Sequence, residues 1–434
     1  MDIGKYNRIK DELFYFNLCG GISLDVRFNK GWFLLMFFAV GFALLYLWYL
    51  VFPGTENIEA LRYFQREEIS QGREYISLLR FMSIGCFFLE LLFLVGLIFS
   101  GWAQTLAKKM QKITHNQVWG GRVLFFIFLW LSLRLLRLPF SIFSSYYWEH
   151  QWGFSVQSLY SWWQDYFLGA GLELVFMLLG VTILFFIIDR WKKMWWLVGA
   201  ILTSVWLFVQ VLLWPVVISP IFNEFQPAKD PEVIQMVEEL SKKAEIKIDQ
   251  VLIMDASRRT NSANAYFTGL GSTKRIVLYD TLLRDYSLDE VKAVVAHEMA
   301  HWKHKHVLQG LLWGVVGNLF LWFFLFVLLR STFLKRNYYP PHTWALVLLF
   351  VLLISYVGSP IESYISRRME IEADQMAVAI TEDVPAAVRL QINLAVKNFA
   401  DVSPPPFIEW FSYSHPSAPK RIQYIEAVTY DSKP

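Results

Sequence analysis

Cysteine and net charge are both scarce in this sequence. Only two of its 434 residues are cysteines, Cys19 and Cys86, and their wide separation argues against a disulfide framework. Charged residues make up 18 % of the chain, and the formal net charge is only +3. So small a charge, without a basic patch interleaved with aromatic residues, argues against a nucleic-acid partner. Residues 1–30 lack the short apolar core and small-residue cleavage site of a signal peptide.

Apolar residues are present in large excess. Hydrophobic residues account for 55 % of the chain, and the mean hydropathy is +0.36. A membrane-spanning helix needs about 20 predominantly apolar residues. The sequence therefore predicts a mainly α-helical, multi-pass membrane protein, and Pro215 and Pro220 should kink or end the fifth span. The seven stretches that qualify are Gly31–Pro53, Phe81–Ala107, Val123–Tyr147, Tyr166–Ile188, Met194–Phe222, Val307–Leu329 and Thr343–Ile361.

Polar side chains inside these apolar runs have two interpretations. Such side chains are costly when they face lipid, so they usually face one another or water. They therefore predict either paired contacts between helices or a hydrated cavity enclosed by the bundle. The residues concerned are Glu90, Arg134, Arg137, Glu173, Gln210 and Asn318.

Two long hydrophilic segments flank the last two spans, Asn223–His306 and Glu362–Pro434. In the first, Pro231–Lys243 has the pattern of an amphipathic helix. Short strands are predicted at Val251–Met254 and Arg275–Tyr279, with a further candidate at residues 264–269 between them.

A helix should begin near Ser287, where Ser287-Leu288-Asp289-Glu290 forms a capping-box pattern. Because neither glycine nor proline follows until Gly310, this helix is predicted to continue directly into the sixth span.

The helix after Ser287 carries the motif His297-Glu298-Met299-Ala300-His301. Residues four apart lie on one helix face, so both imidazoles can reach one metal ion. Glu298 is placed to take a proton from a water molecule whose pKa zinc lowers. The alternative is a set of polar residues on a solvated helix face. The predicted helix and a third ligand further along the chain favour the metal site.

Two residues are candidates for that third ligand. His304 is on the same face as His297, but it lies about 10 Å further along the helix axis, too far to bind with His301 also bound. Glu370 is the favoured candidate, because Asp374, four residues later, could orient a neighbouring imidazole. Glu372 points to another side and is predicted to be a solvated carboxylate.

His415 and Arg421 lie near the C-terminus. A histidine and an arginine beside a zinc site could stabilise the oxyanion that forms during peptide hydrolysis. A surface histidine in a proline-rich loop is the alternative interpretation of His415.

Taken together, these motifs resemble the type 1 CAAX prenyl proteases, the seven-span zinc endopeptidases that include the a-factor-converting enzyme. The resemblance covers nearly the whole chain. It rests on the seven spans, on residues 297–303, and on residues 220–225, 264–267, 275–283, 370–374 and 413–416. One departure is Ala300, where the family usually has glycine; because a small residue is kept, no loss of chemistry is expected.

The resemblance implies one zinc ion per chain, Glu298 as the general base and Asp374 as a partner of the ligands. The implied ligands are His297, His301 and Glu370. The implied substrate-binding residues are Asn264, Ala265 and Tyr266, in an edge strand that pairs with substrate backbone. The implied neighbours of the scissile carbonyl are His415 and Arg421. The family also encloses a large water-filled chamber.

The implied organisation has four parts. Residues 1–222 form a membrane domain with spans one to five, and residues 223–306 form the first part of a metalloprotease domain. Spans six and seven occupy residues 307–361, and residues 362–434 complete the metalloprotease domain. The family's activity removes the last three residues of a prenylated Cys-aliphatic-aliphatic-any sequence, so the implied substrates are prenylated proteins or other hydrophobic, membrane-associated peptides.

A channel, transporter or scaffold with a structural metal site is the competing hypothesis. Glu298 discriminates between the two, because a structural site needs ligands but no carboxylate beside a reactive water molecule.

Lysine and arginine are distributed unevenly between the two sides of the predicted membrane region. The short segments on the N-terminal side hold 15 of them, against four on the opposite side. Basic short loops mark the cytoplasmic side, so the zinc site is predicted on the far face. The family's eukaryotic members instead open their zinc site to the cytosol. The choice between a bacterial inner membrane and the endoplasmic reticulum or inner nuclear membrane stays open.

Overall fold

The computed structural model describes residues 29–268, 274–333 and 339–428. Cys19 and residues 1–28 of the segment examined for a signal peptide lie outside the described residues, as does Gly269 at the end of the candidate strand. The α-helices, in chain order, are α1 (Lys30–Val51), α2 (Arg66–Phe99), α3 (Trp102–Ile113), α4 (Val118–Ile142), α5 (Glu149–Gln151), α6 (Leu159–Arg190), α7 (Trp195–Leu213), α8 (Ser219–Phe222), α9 (Pro231–Ala244), α10 (Asp280–Asp285), α11 (Leu288–Lys303), α12 (His306–Thr332), α13 (Thr343–Thr381), α14 (Val384–Lys397), α15 (Pro406–Ser412) and α16 (Ala418–Glu426). The strands are β1 (Phe225–Pro227), β2 (Gln250–Met254), β3 (Ala265–Thr268) and β4 (Arg275–Tyr279).

Within the described residues, seven helical segments are long and apolar enough to cross a membrane. Each of them overlaps one of the seven predicted spans, which confirms the multi-pass architecture. Helices suit this environment because every backbone N–H in the lipid must find its partner inside the segment. Their inward faces form one apolar core that includes Trp32, Phe125 and Trp195.

The second span ends earlier than predicted. α2 stops at Phe99, and Gly101, with a φ of +77°, redirects the chain into α3. Glycine adopts this left-handed conformation without a Cβ penalty. Residues up to Ala107 therefore belong to α3, which packs against α4.

The fifth span changes its geometry at Pro215, as predicted. α7 ends at Leu213, and Trp214–Ile218 form a π-helical segment before α8. Proline has no N–H to donate to the preceding turn, so the regular α-helical ladder breaks there.

The charged side chains within the spans pair with one another. Arg134 of α4 contacts Glu173 of α6, and Arg137 of α4 contacts Glu90 of α2. Glu90 and Arg137 also line a cavity of about 1360 Å³. The structure therefore confirms the paired-contact interpretation for these four charges, and one of the two pairs also lines a cavity between the membrane helices.

A four-stranded sheet with the order β1-β2-β4-β3 lies among the described residues of the soluble part. β2 and β4 are parallel, and β3 runs antiparallel to β4 with Ala265 opposite Leu278. β3 is therefore an edge strand. The sequence did not indicate β1, since it has only three residues and ends in proline.

α11 does not continue into the sixth span, contrary to the prediction. It ends at Lys303, and Lys305 adopts a φ of +57° before α12 begins at His306. Terminating hydrogen bonds run from the His304 N–H to the Ala300 carbonyl and from the Lys305 N–H to the Trp302 carbonyl, both 2.9 Å. This left-handed cap is formed by a lysine, so the absence of glycine did not keep the helix continuous.

α13 connects the membrane region to the soluble part. It has 39 residues, whereas the seventh span was predicted to end at Ile361. Its first part packs against α1 and α2, and its later turns pack against α11. The helix that leaves the membrane therefore faces the helix that carries the His-Glu-x-x-His motif.

Candidate metal centre

α11 holds the two motif histidines one turn apart. The capping box of Ser287 and Glu290 forms at its start, as predicted. Val295, Ala296 and Met299 are fully buried and fix the helix against the soluble core. The Nε2 atoms of His297 and His301 consequently lie 3.0 Å apart on the opposite face.

Glu370 of α13 completes a three-donor group. Its Oε2 lies 3.2 Å from His297 Nε2, and its Oε1 lies 3.3 Å from His301 Nε2. All three donors lie within 4.8 Å of one another. A tetrahedral ion with bonds of about 2.0–2.1 Å keeps its ligand atoms about 3.3 Å apart. The spacing therefore fits a metal ion, and Glu370 Oε2 accepts no hydrogen bond from the described residues although it is buried.

Asp374 and Arg421 lie on the Nδ1 side of His297, away from the metal-donor group. Asp374 Oδ1 lies 3.0 Å from His297 Nδ1, and Arg421 forms two hydrogen bonds with the Asp374 carboxylate, of 2.6 and 2.7 Å. Burial by itself would lower the pKa of His297, but Asp374 and Glu370 outweigh it and raise that pKa to about 10. A metal ion must displace this proton to bind, as histidine ligands require.

Glu298 lies beside the donor group and not within it. It lines a smaller cavity of about 160 Å³ together with His297, Asn264 and Ala265. Burial raises the pKa of Glu298, which suits a carboxyl group that exchanges protons near neutral pH.

The edge strand β3 borders the same small cavity. Asn264 and Ala265 line it, whereas Tyr266 packs on the other side of the sheet against Met254 and Val277. This alternation follows from the two-residue period of a strand. The structure therefore brings two of the three predicted substrate-binding side chains to the site, and of Tyr266 only the backbone can contribute there.

His415 and Arg421 also approach the donor group. His415 Nε2 lies 3.3 Å from Glu370 Oε1, and Arg421 Nη2 lies 3.7 Å from Glu370 Oε2. The His415 side chain is 55 % exposed, and both residues line the 160 Å³ cavity and the 1360 Å³ cavity. The two cavities therefore meet at these two side chains, next to the metal-donor group.

His304 belongs to a different group, with His306 and Glu372. His306 Nδ1 lies 2.9 Å from His301 Nδ1, and His306 Nε2 lies 3.3 Å from Glu372 Oε2. The prediction that Glu372 is a solvated carboxylate is thus wrong in part, since its side chain is 41 % exposed but contacts a buried histidine. The sequence pattern does not indicate His306, because on an uninterrupted helix this residue would not share a face with His301.

Comparison with known proteins identifies the family. Residues 227–429 match the model of Peptidase family M48, and residues 60–224 match that of the CAAX prenyl protease N-terminal region, with five membrane helices. The chain is 30 % identical over 404 residues to YhfN, an uncharacterized metalloprotease of Bacillus subtilis, covering 89 % of this chain and 94 % of that protein. The chain belongs to peptidase family M48.

A further sequence relative and a solved structure support this family assignment. CAAX prenyl protease 1 of Saccharomyces cerevisiae is 29 % identical over 327 residues, covering 69 % of this chain and 70 % of that protein. The crystal structure of S. mikatae Ste24p superposes with a TM-score of 0.80 at 21 % identity, covering 92 % of this chain and 99 % of that chain, and shows the same fold. The protein is therefore a multi-pass membrane metalloprotease, which excludes the competing hypothesis of a channel, transporter or scaffold, and its family implies a metal cofactor.

Proposed function

We propose that this metalloprotease is a zinc endopeptidase that cleaves prenylated CAAX-type C-termini or other hydrophobic, membrane-associated peptides. The observation that carries the proposal is the position of the donor group. His297, His301 and Glu370 converge where a small cavity bordered by an edge strand meets a large cavity between membrane helices. A peptide backbone fits the first space, and an apolar chain fits the second.

His297, His301 and Glu370 would hold the zinc ion through two imidazole nitrogens and a carboxylate. Three protein ligands are typical of catalytic zinc sites, which keep one position open. A zinc ion bound there supplies a Lewis acid that polarises a carbonyl group and lowers the pKa of water.

Glu298 acts as the general base and acid in this proposal. Its carboxylate takes a proton from the attacking water molecule and delivers it to the amine of the leaving peptide. The raised pKa of Glu298 favours both steps, because the group can hold the proton between them.

His415 Nε2 and Arg421 Nη2 donate hydrogen bonds to the oxygen of the scissile carbonyl as negative charge develops on it. Both side chains lie beside Glu370, on the wall shared by the two cavities. Donors that are already in place stabilise such charge without reorganisation. Arg421 has a second task, because it also holds Asp374 against His297.

Residues 264–266 bind the substrate backbone by strand addition. β3 is at the edge of the sheet, and its outer backbone groups can pair with an extended peptide. The 1360 Å³ cavity, lined by apolar residues such as Phe87, Leu94 and Phe140, then accepts the apolar end of the substrate.

The decisive experiment is cleavage of defined peptides by the purified protein in detergent or liposomes. A farnesylated peptide with a Cys-aliphatic-aliphatic-any end is incubated with and without a zinc chelator, and products are identified by mass spectrometry. We expect release of the C-terminal tripeptide, suppression by chelator and recovery with added zinc. The same peptide without its farnesyl group measures the contribution of prenylation. Absence of any zinc-dependent cleavage of either peptide would overturn the proposal.

A further inference from the structure

His306 and Glu372 form a chain of contacts on the side of His301 that faces away from the metal-donor group. His301 Nε2 points to the donor group, whereas its Nδ1 lies 2.9 Å from His306 Nδ1. His306 Nε2 lies 3.3 Å from Glu372 Oε2. His306 is almost completely buried, with 4 % of its surface exposed. The three side chains thus form a line from the donor group to the surface of α13.

The positions of the protons in this line follow from the role of His301. If Nε2 of His301 binds a metal ion, its single N–H is on Nδ1. That N–H donates to His306 Nδ1, which must then be the acceptor. The proton of neutral His306 is consequently on Nε2, from which it is donated to the Glu372 carboxylate. Each of the two hydrogen bonds in the line then has one donor and one acceptor.

The break between α11 and α12 creates this arrangement. On an uninterrupted helix, His306 would lie about 140° around the axis from His301, since successive residues advance by about 100°. The left-handed Lys305 instead interrupts the helix, and the two rings lie 5.0 Å apart between centroids. Glu370 and Glu372, on two sides of α13, then reach opposite ends of the His301–His306 pair.

We propose that His306 and Glu372 are positioning residues that fix the orientation and tautomer of His301 for metal binding. This inference rests on the proposed function, in which His301 is a ligand. It parallels the opposite side of the site, where Asp374 contacts His297 Nδ1 and is held by Arg421. Each of the two histidines then has a hydrogen-bonding partner for its Nδ1 atom. The partner of His297 is the Asp374 carboxylate, and the partner of His301 is the His306 imidazole, which in turn contacts Glu372.

With the protons placed in this way, His304, His306 and Glu372 do not form a second cation site. The donors of His304, His306 and Glu372 do lie within 4.8 Å of one another. However, Nε2 of His306 carries the proton in the line and has no free lone pair for a cation. Arg368 Nη2 also lies 4.0 Å from Glu372 Oε1, so a positive charge already faces that carboxylate.

The test measures zinc affinity by competition with a chromophoric chelator, on full-length protein in detergent. His306→Phe and Glu372→Ala should each weaken zinc binding by about 10- to 100-fold, the usual effect of losing such a partner. Glu372→Gln should recover most of the affinity, because its carbonyl oxygen still accepts from His306. His304→Ala is the matched control: this ring stacks on His306, with centroids 5.3 Å apart, but lies outside the line, and affinity should not change.

The number of bound zinc ions at saturation separates the inference from its alternatives. The inference is supported if His306→Phe, Glu372→Ala and Glu372→Gln each bind one zinc per chain at saturation and only the first two bind it more weakly. Wild-type affinity in both of these variants overturns it and leaves the proposed function standing. Two zinc ions in the wild-type chain, with one lost in His304→Ala, overturn it in favour of a second metal site. Full zinc binding by His301→Ala overturns the proposed metal site itself, and the inference with it.

Discussion

Glu298 is the residue on which the proposed chemistry depends most directly. We expect Glu298→Gln to retain one zinc per chain but to lose about 100- to 10,000-fold in peptide hydrolysis, because the base is removed while the ligands remain. Metal analysis and the peptide assay measure the two quantities on the same preparation. Glu238→Gln, at an exposed position of α9, is the matched control. Near-normal hydrolysis by Glu298→Gln would mean that the base lies elsewhere.

Glu370 should behave differently, because it is predicted to bind the metal. Glu370→Ala removes one of the three donors, so we expect zinc stoichiometry to fall well below one per chain and hydrolysis to fall with it. Glu362→Ala removes an exposed carboxylate two turns earlier on the same helix and should change neither. If Glu370→Ala kept stoichiometric zinc, the third ligand would have to be another residue.

The sequence predicted much of this site at the level of single residues. The four-residue spacings of His297 with His301 and of Glu370 with Asp374 are sufficient to place each pair on a helix face, and the structure brings the two faces together. Spacing alone does not indicate His306, because its contact with His301 depends on the break in the helix between them. Tyr266 shows the same limit, since its side chain turns away from the cavity that its neighbours line.

Among the elements, the break between α11 and α12 is most open to direct test. A left-handed conformation costs an L-residue with a side chain roughly 1–2 kcal/mol. Lys305→Gly should therefore leave stability unchanged or raise it by up to about 1 kcal/mol, whereas Lys305→Val should lower it by about 1 kcal/mol. Thermal unfolding of the two variants in detergent measures the difference. Equal stability of the two variants would contradict a strained Lys305.

The break also shows which elements a sequence can indicate. The seven spans were predicted because uninterrupted apolar runs of that length have few other stable arrangements. The ends of the elements were harder to predict. A lysine can take the position usually held by glycine after a helix, and Gly101 can turn an apolar run into a separate amphipathic helix. Hydropathy detects neither of these helix ends, because a single left-handed residue hardly changes the average composition of the segment that contains it.

For the whole molecule, the charge distribution makes a prediction about orientation. Fifteen Lys and Arg residues on the N-terminal side, against four in the short loops opposite, place the N-terminus in the cytoplasm and the metal site on the far face. Fusions of a fluorescent protein and of an export-dependent phosphatase, after Lys30 and at Pro434, report the side of each end. A C-terminal fusion that fluoresces and lacks phosphatase activity would contradict the charge argument. Prenylated cytosolic proteins would then become the better substrate candidates.

α13 has a further consequence for the whole molecule. Its 39 residues extend about 58 Å, roughly twice the hydrocarbon thickness of a bilayer, and Glu370 lies on the part beyond the seventh predicted span. α11, which carries His297 and His301, packs in the soluble core. The two histidines are therefore held by the soluble part, whereas Glu370 is held by a helix that also spans the membrane. A helix adapts to hydrophobic mismatch by tilting. A tilt of the membrane-spanning part of α13 would displace Glu370, further along the same helix, relative to His297 and His301. We therefore expect zinc affinity and hydrolysis in liposomes to depend on acyl-chain length, with an optimum at one bilayer thickness. A flat response across chain lengths would mean that the soluble contacts of α13 hold Glu370 in place whatever the lipid does.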